Sequence, residues 1–195
     1  MAAPSAGGEA KEPDLTGSGA PSQAVLDAAL RLLAQRLRGV RELRNRLLRK
    51  GFPTEAVTGC LTWLEDRGYL DDEAFSMALV RDRFKFSPRS PSQIGRELTR
   101  RGIAPAVAEK ALTRVQEEEG TSEAHLAAEV ARAWIRKQGP RPLKELLEDR
   151  FTPRRERARR RLYGFLARRG FRGEAAKTGM DAGEMEARNI LSKKE

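Results

Sequence analysis

Cysteine and histidine are almost absent from the sequence, which has one of each, Cys60 and His125, among its 195 residues. A single cysteine excludes an intramolecular disulfide, and one His with one Cys excludes a His/Cys cluster at metal-ligand spacing. No stretch approaches the roughly 18 consecutive apolar residues of a transmembrane helix. The N-terminus also lacks the basic and apolar segments of a secretory signal. These absences predict a protein of a reducing compartment, the cytoplasm.

Motifs that carry catalysis are missing as well. The sequence has no Walker loop, no glycine-rich dinucleotide motif, no nucleophile elbow, no HExxH and no CxxC. His125 lies in the first turn of a predicted helix with no acid or nucleophile tied to it, which favours a solvated surface residue over a general base. The acids at 71–73 are typical of a helix start, where they complement the dipole. The sequence therefore predicts a protein that is not an enzyme and needs no cofactor or metal.

Arginine, in contrast, is abundant. Lys+Arg number 38 against 28 Asp+Glu, which leaves a net charge of +10, and 29 of the 38 basic residues are arginine. Guanidinium groups match the geometry of phosphate and carboxylate, so this excess predicts a polyanionic or acidic partner. With only 39% hydrophobic residues and 34% charged ones, the composition does not favour a single thick core.

A short pattern occurs three times. The segment ELRNRLLRKGF (42–52) recurs as QIGRELTRRGI (93–103) and, more loosely, as RLYGFLARRGF (161–171). Each copy is an apolar-periodic helix that ends in two basic residues, a glycine and a large apolar residue. The glycines, Gly51, Gly102 and Gly170, stand where a helix end favours a left-handed conformation, and the basic pair suits the negative end of the helix dipole. Three matched stop signals predict three structural units.

Two further apolar stripes at spacings of three and four flank each of the first two copies, which predicts three-helix bundles. Bundles this small bury too little surface to be stable alone, so they are expected to stack into an elongated all-α array of three tandem three-helix repeats. Ser90 and Gln93 are placed as a capping box at the start of one helix. The predicted boundaries are a disordered tail at 1–22, repeats at 23–70, 71–120 and 121–178, and a polar C-terminal tail at 179–195.

The third repeat is the least regular. Residues 139–142, Gly-Pro-Arg-Pro, break its first helix, a short helix is predicted at 143–151, and a long one starts at Thr152-Pro153. After Arg172 the sequence is polar and punctuated by glycine, without the large apolar stripe that a third helix needs. The fold prediction is therefore weakest at the C-terminal end.

Basic residues form candidate binding surfaces on the predicted helices. On a helical wheel, Arg157, Arg160, Arg161 and Arg168 lie away from the apolar face of the long helix, and only Glu156 offsets their charge. The stretch 81–86 interleaves basic and aromatic residues, a composition that suits a single strand, although Phe84 or Phe86 could equally close the core. A purely solubilising face remains the alternative for the arginines. The candidate contacts to a partner or DNA are Arg41, Arg44, Arg81, Arg83, Arg96, Arg100, Arg157, Arg160, Arg161 and Arg168.

The segments LAQRLRGVRELRNRLLRKGFPTEAV and LEDRGYLDDEAFSMALVRDR, followed by ELTRRGI and FLARRGF, resemble the RecX family of bacterial recombinase regulators. The resemblance covers about residues 24 to 171. It implies a small cytoplasmic protein, expected to be a monomer, that binds the RecA recombinase and its filament on single-stranded DNA. Such a protein usually inhibits ATP hydrolysis and strand exchange, in DNA repair and the SOS response, and the family is also reported to touch DNA. There are no catalytic residues to carry over.

The sequence departs from the family pattern at Gly39, where serine is common, in the third repeat and in its long N-terminal tail. Two other classes of function stay open. Three short helices with a basic one resemble a helix-turn-helix DNA-binding protein, although the basic helices lack an Asn/Gln-rich surface for base recognition. The third possibility is a helical adaptor whose charge is only solubilising.

Overall fold

The computed structural model describes residues 21–149 and 151–193. These residues form α-helices joined by short connections and include no β-strand, which confirms the all-α prediction. The predicted tail at 1–22 lies, apart from residues 21 and 22, outside the described part of the chain. The helices are α1 Gln23–Gln35, α2 Val40–Arg49, α3 Thr54–Asp66, α4 Asp72–Phe86, α5 Pro91–Arg100, α6 Pro105–Glu118, α7 Glu123–Arg136, α8 Pro140–Leu147, α9 Pro153–Arg168 and α10 Gly173–Ser192.

The described residues divide into two compact units. The first comprises residues 21–37 and 43–70, and its core is aliphatic. Its fully buried residues come from α1, most of α2, and α3, and they recur at the three- and four-residue spacings of one helix face. They are Val25, Ala29, Leu43, Leu47, Val57, Cys60 and Leu64.

Cys60 is completely buried in this core, and burial raises the pKa of its thiol to about 11. The thiolate is the reactive form, so the folded protein should not be alkylated by iodoacetamide at neutral pH. Mass spectrometry should show modification only after denaturant is added. Alkylation of the native protein at the rate of a free thiol would contradict this assignment of Cys60 as a buried apolar residue.

The second unit comprises residues 38–42 and 71–193 and has one continuous core. Helices α4, α5 and α6 bury Phe75, Val80, Ile94 and Leu98 against one another, and the core continues through α7, α8, α9 and α10. Phe171, which follows the third repeat glycine, is fully buried. Within the described residues the third repeat thus contributes four helices, because α8 lies where the sequence predicts an additional short helix.

Helices α2, α5 and α9, one from each repeat, end in the same way. The glycines at 51, 102 and 170 have φ of 89°, 94° and 90°, which confirms the predicted left-handed conformation. In each case the next N–H donates to a carbonyl five residues earlier, as in a Schellman motif. The three bonds are Phe52 N to Leu47 O at 3.4 Å, Ile103 N to Leu98 O at 3.1 Å and Phe171 N to Leu166 O at 3.2 Å.

Helix starts follow the sequence signals in part. Asp71 caps α4 by accepting from the N–H groups of Glu73 and Ala74, so these acids have the predicted structural role. Ser90 Oγ caps α5 by accepting from the Gln93 N–H at 3.2 Å. The Gln93 side chain does not complete the predicted box, because the Ser90 N–H donates to the Arg169 carbonyl at 2.9 Å instead. Gln93 Nε2 donates to the Arg168 carbonyl at 3.4 Å. A tertiary contact has replaced a local one.

The C-terminal end corrects the sequence prediction. Residues 179–192, predicted as part of a polar tail, continue the 20-residue helix α10, which packs along α7. Its buried face is made of small residues, chiefly Ala176, Gly179, Gly183 and Ala187. A stripe of large apolar residues was the expected signal, and small residues do not produce one. The short helix α8 also begins three residues earlier than predicted, with Pro140 in its first turn. Residues 194 and 195 of the predicted tail lie outside the described ranges.

Candidate partner-binding surface

Helix α9 presents the largest group of predicted contact residues. Thr152 caps it by accepting from the Arg155 N–H at 3.2 Å, and Pro153 occupies the first turn. Its inner face buries Ala158, Leu162 and Leu166, as the helical wheel predicts. The packing of this apolar face leaves the opposite face of α9 exposed.

A buried carboxylate fixes which arginines of α9 point inward. Glu184 of α10 is 7% exposed and accepts from Arg155 Nη2 at 3.1 Å and from Arg159 Nη1. Arg155 also donates to the Glu148 carbonyl at 2.7 Å. Because a buried carboxylate needs paired donors, this cluster holds α9 in one rotation on α10. Sequence reasoning missed Glu184, since it placed that residue in a tail.

The outward arginines form a basic surface, here called the α9 face, which consists of Arg157, Arg160, Arg161 and Arg168. All four are exposed. Arg160 Nη2 donates to Glu156 at 2.9 Å, whereas the other three have no ion pair among the described residues. The structure thus brings together the predicted stripe with little opposing charge.

A cleft of about 380 Å³ lies on the α9 face. Arg160, Arg161 and Arg168 line it together with Gly164 and Trp134 from α7, and none of the described carboxylates does. A cleft with three guanidinium groups and one aromatic edge suits a planar or tetrahedral anion, such as a carboxylate or a phosphate. Trp134 is not among the predicted contact residues, and the structure adds it to this surface.

Two aromatic side chains, Trp134 and Phe165, pack against each other beside the α9 face. The rings of Trp134 and Phe165 lie 5.5 Å apart, and the Arg169 guanidinium lies 3.9 Å above the Phe165 ring. Burial lowers the pKa of Arg169, and the positive charges of Arg168 and Arg89 lower it further. The positive charges of Arg89, Arg168 and Arg169 therefore repel one another. Binding of an anionic partner would reduce this repulsion. Arg169 and Arg89 were absent from the predicted set.

Two predicted contacts on α4 are engaged within the protein. Arg83 donates to Glu97 through Nε at 3.0 Å and Nη2 at 2.6 Å, in a bidentate pair. Arg81 pairs with Glu118 at the surface. Arg83 therefore has a structural role. Of the two aromatic residues beside it, Phe84 is buried at 6% exposure and Phe86 is 72% exposed.

The remaining predicted contacts are spread over other helices. Arg96 and Arg100 are exposed on α5, and Arg41 is exposed at the start of α2, in the second unit. Arg44 is exposed in the first unit. Since none of these four has an ion pair within the described ranges, they remain candidates alongside the α9 face.

Glu97 makes the second unit sensitive to acid. This carboxylate is 8% exposed, and the hydrogen bond from Arg83, followed by that from Arg101, lowers its pKa to about 2 although burial opposes the shift. Since an unfolded glutamate titrates near 4.5, its contribution is complete above that pH and is lost as the pH falls towards 2. We expect a loss of about 2 to 3 kcal/mol across this window. Glu97→Gln should flatten the pH dependence of denaturant midpoints, and an unchanged slope would contradict the assignment.

No helix in residues 21–149 or 151–193 has the length and apolarity to span a bilayer. Across these same residues, His, Cys, Asp and Glu side chains do not form a group of three or more with the spacing of a metal site. His125 is exposed, as predicted for a solvated residue.

Comparison with protein families and solved structures places the fold. Residues 26–64 match the model for the first three-helix domain of RecX, and residues 71–112 match the second. The chain is similar in fold to the crystal structure of RecX from Lactobacillus salivarius, with a TM-score of 0.59, 20% identity and coverage of 83% of this chain and 96% of that one. A crystal structure of a regulatory protein RecX has a TM-score of 0.63 at 22% identity, covering 81% and 72%.

Relatives in sequence carry the same name, regulatory protein RecX. The protein of Halorhodospira halophila is 41% identical over 95 residues, which are 49% of this chain and only 58% of that protein. Those of Pelodictyon phaeoclathratiforme and Mycobacterium sp. strain KMS are each 31% identical, with coverage of 69% and 83% of this chain and 81% and 84% of the relative. Identity at this level over most of both lengths, with two matched domains in order, shows that the chain belongs to the RecX family of regulatory proteins.

Proposed function

We propose that this protein binds a RecA recombinase in its filament on single-stranded DNA and inhibits its ATPase and strand-exchange activities. Family membership supports the partner, and the α9 face is the observation that carries the binding. It presents Arg157, Arg161 and Arg168 without an opposing acid among the described residues. We place this activity in the cytoplasm, in a protein that is a monomer when dilute.

The chemistry of the α9 face suits both components of such a filament. Guanidinium groups bind carboxylates on an acidic protein surface and phosphates on DNA with the same two-pronged geometry. The cleft beside Trp134 adds an aromatic surface that a base or an apolar side chain can cover. A filament repeats its protomers, so several weak contacts made by one chain would act together through raised effective concentration. Preference for the filament over free recombinase follows from this multivalency.

An ATPase time course of the cognate recombinase on single-stranded DNA tests partner and sign together. The full chain is added to preformed filament and the rate of ATP hydrolysis is followed. We expect the rate of ATP hydrolysis to fall as the protein concentration rises. In a control assay without DNA, the residual rate of the free recombinase should fall much less. An unchanged rate with bound protein would contradict inhibition, and absence of binding to the filament would contradict the partner.

A DNA-binding protein without a recombinase role is the second candidate. The basic cleft with its tryptophan favours it, because cations and aromatic side chains together bind single strands. The exposed arginines favour phosphate contacts over base recognition. Binding to duplex, single strand and recombinase filament at two salt concentrations separates the candidates. Equal affinity for bare strand and filament would support this second function, and no binding anywhere would leave a helical adaptor.

A further inference from the structure

The repeats of the second unit are joined by one recurring junction. The loop after α9 sits on the start of α5, where the Ser90 N–H donates to the Arg169 carbonyl at 2.9 Å. A Cβ added to Gly170 would overlap Ser90 Oγ and lie 3.0 Å from the Gln93 Cβ. The next residue, Phe171, is fully buried. The glycine is thus required both by its backbone conformation and by the close approach of the preceding repeat.

The loop after α5 repeats this arrangement on residues 39–41. A Cβ on Gly102 would lie 2.6 Å from the Arg41 Cβ, and one on Gly39 would lie 2.9 Å from the Ile103 Cδ1. Ile103 follows the glycine as Phe171 does, and it is 2% exposed. In addition, Asp72 Oδ1 accepts from the Val40 N–H at 2.9 Å. At both junctions, therefore, the Gly-apolar loop of one repeat packs on the first turn of the second helix of the preceding repeat.

The corresponding loop of the first repeat, at Gly51 and Phe52, is not packed against a receiving surface among the described residues. Gly51 has the same φ and Phe52 closes the same Schellman bond, yet a Cβ on Gly51 would meet no described atom within 4 Å. Phe52 is only partly buried, unlike the residues at 103 and 171. This loop has the conformation of the two seated loops but lacks a receiving surface among the described residues.

Conversely, within the described ranges one receiving surface has no Gly-apolar loop packed on it. The start of α9, residues 151–154, corresponds to the two receiving surfaces, and its Arg154 side chain is 71% exposed. The residue before the cap is Arg38 in the first repeat, which is 4% exposed, and Arg89 in the second, whose side chain is 35% exposed. At α9 this residue is Phe151, and it is 97% exposed. The residue before the cap is therefore far more exposed at α9 than at either of the two surfaces that receive a loop.

We propose that a second copy of this chain occupies this surface, seating its Gly51-Phe52 loop on residues 151–154 and covering Phe151. The contact continues the junction already present twice within the second unit, so its geometry is defined by the chain itself. The two surfaces differ, which makes the association heterologous, and each copy can bind one neighbour at each surface. Two copies bound side by side on one filament would be held near each other, at an effective concentration of about 1 mM. Even a weak contact between them would then form.

A pair of complementary variants tests this association by sedimentation equilibrium of the full chain. Gly51→Asn keeps a residue that tolerates the left-handed conformation but adds the side chain that the seat excludes. Phe151→Glu places a charge on the other surface. We expect wild-type protein to associate as its concentration rises towards about 1 mM, each variant alone to remain monomeric, and their equimolar mixture to form dimers only. Circular dichroism confirms that both variants are folded.

Two matched substitutions control for strain and for charge. Gly68→Asn changes another glycine with positive φ and no atom within 4 Å, and Phe86→Glu changes another exposed phenylalanine. Both should associate like wild type. Wild-type protein that is monomeric throughout, a mixture that fails to dimerise, or controls that lose association equally would each overturn the proposal. The measurement contains no recombinase, so its outcome is independent of the proposed function.

Discussion

Replacing Arg161 and Arg168 together by glutamate should weaken filament binding by about a hundredfold and abolish inhibition of the recombinase at matched protein concentration. Both side chains line the cleft beside Trp134, and neither has an ion pair among the described residues. The loss of a hydrogen bond to a charged group costs about 1.5 kcal/mol or more, and two such losses correspond to about a hundredfold in the dissociation constant. Fluorescence anisotropy of a labelled filament measures this change in the dissociation constant.

A control with the same change in net charge is available on α6. Lys110 and Arg114 have side chains that are 65% and 54% exposed, and unlike Arg161 and Arg168 they form ion pairs within the described residues, with Glu73 and Glu118. Reversing both to glutamate should change binding by less than about threefold, since distant surface charge is screened. An equal loss in the control would mean that net charge, and not the α9 face, determines binding.

The salt dependence of the same variants identifies the partner group. If the two arginines contact DNA phosphates, their reversal should lower the slope of log affinity against log salt by about one for each lost contact. If they contact carboxylates of the recombinase, the affinity should fall with little change in that slope. Unchanged affinity at every salt concentration would remove the α9 face from the binding surface.

Replacing Gly179 by leucine should destabilise the second unit by about 3 kcal/mol. A Cβ at this position would lie 2.9 Å from the Leu166 Cδ1 and 3.1 Å from the Ala127 carbonyl oxygen. The Leu166 side chain can rotate away from the added atom. The Ala127 carbonyl cannot, because it belongs to the backbone of α7 and moves only with that helix. Because α10 also supplies Glu184, the variant should disturb the rotation of α9 as well as the packing.

Gly164→Leu is the matched control, since this glycine also lies within a helix of the same unit. Its added Cβ would meet only the end of the Arg168 side chain, at 3.4 Å. This variant should be neutral or up to about 1 kcal/mol more stable, because leucine favours the helix interior over glycine. Urea denaturation, followed by the fluorescence of Trp134 after Trp63→Phe, compares the two. Equal stability of both leucine variants would contradict the close approach of α10 to α7.

Some features of the surface followed from sequence and others did not. The outward position of Arg157 and Arg161 required only the 3.6-residue period of a helix. Glu184 and Arg169 could not be assigned in this way. Glu184 pairs with an arginine of the neighbouring helix, and the Arg169 carbonyl accepts from the Ser90 N–H at the start of α5. The pairing of Arg83 could not be predicted for the same reason, since the acid that it pairs with is 14 residues away in the next helix.

Local sequence patterns were enough to establish the helical class, the repeated helix ends and the apolar face of each helix. These depend on local causes, namely side-chain periodicity, capping residues and the left-handed freedom of glycine at 51, 102 and 170. Two features required the packing of the helices: that residues 179–192 form a packed helix, and which arginines have no ion pair within the described residues. A stripe of small residues carries no hydrophobic signal, and an ion pair between helices depends on their approach in space, which no local pattern specifies.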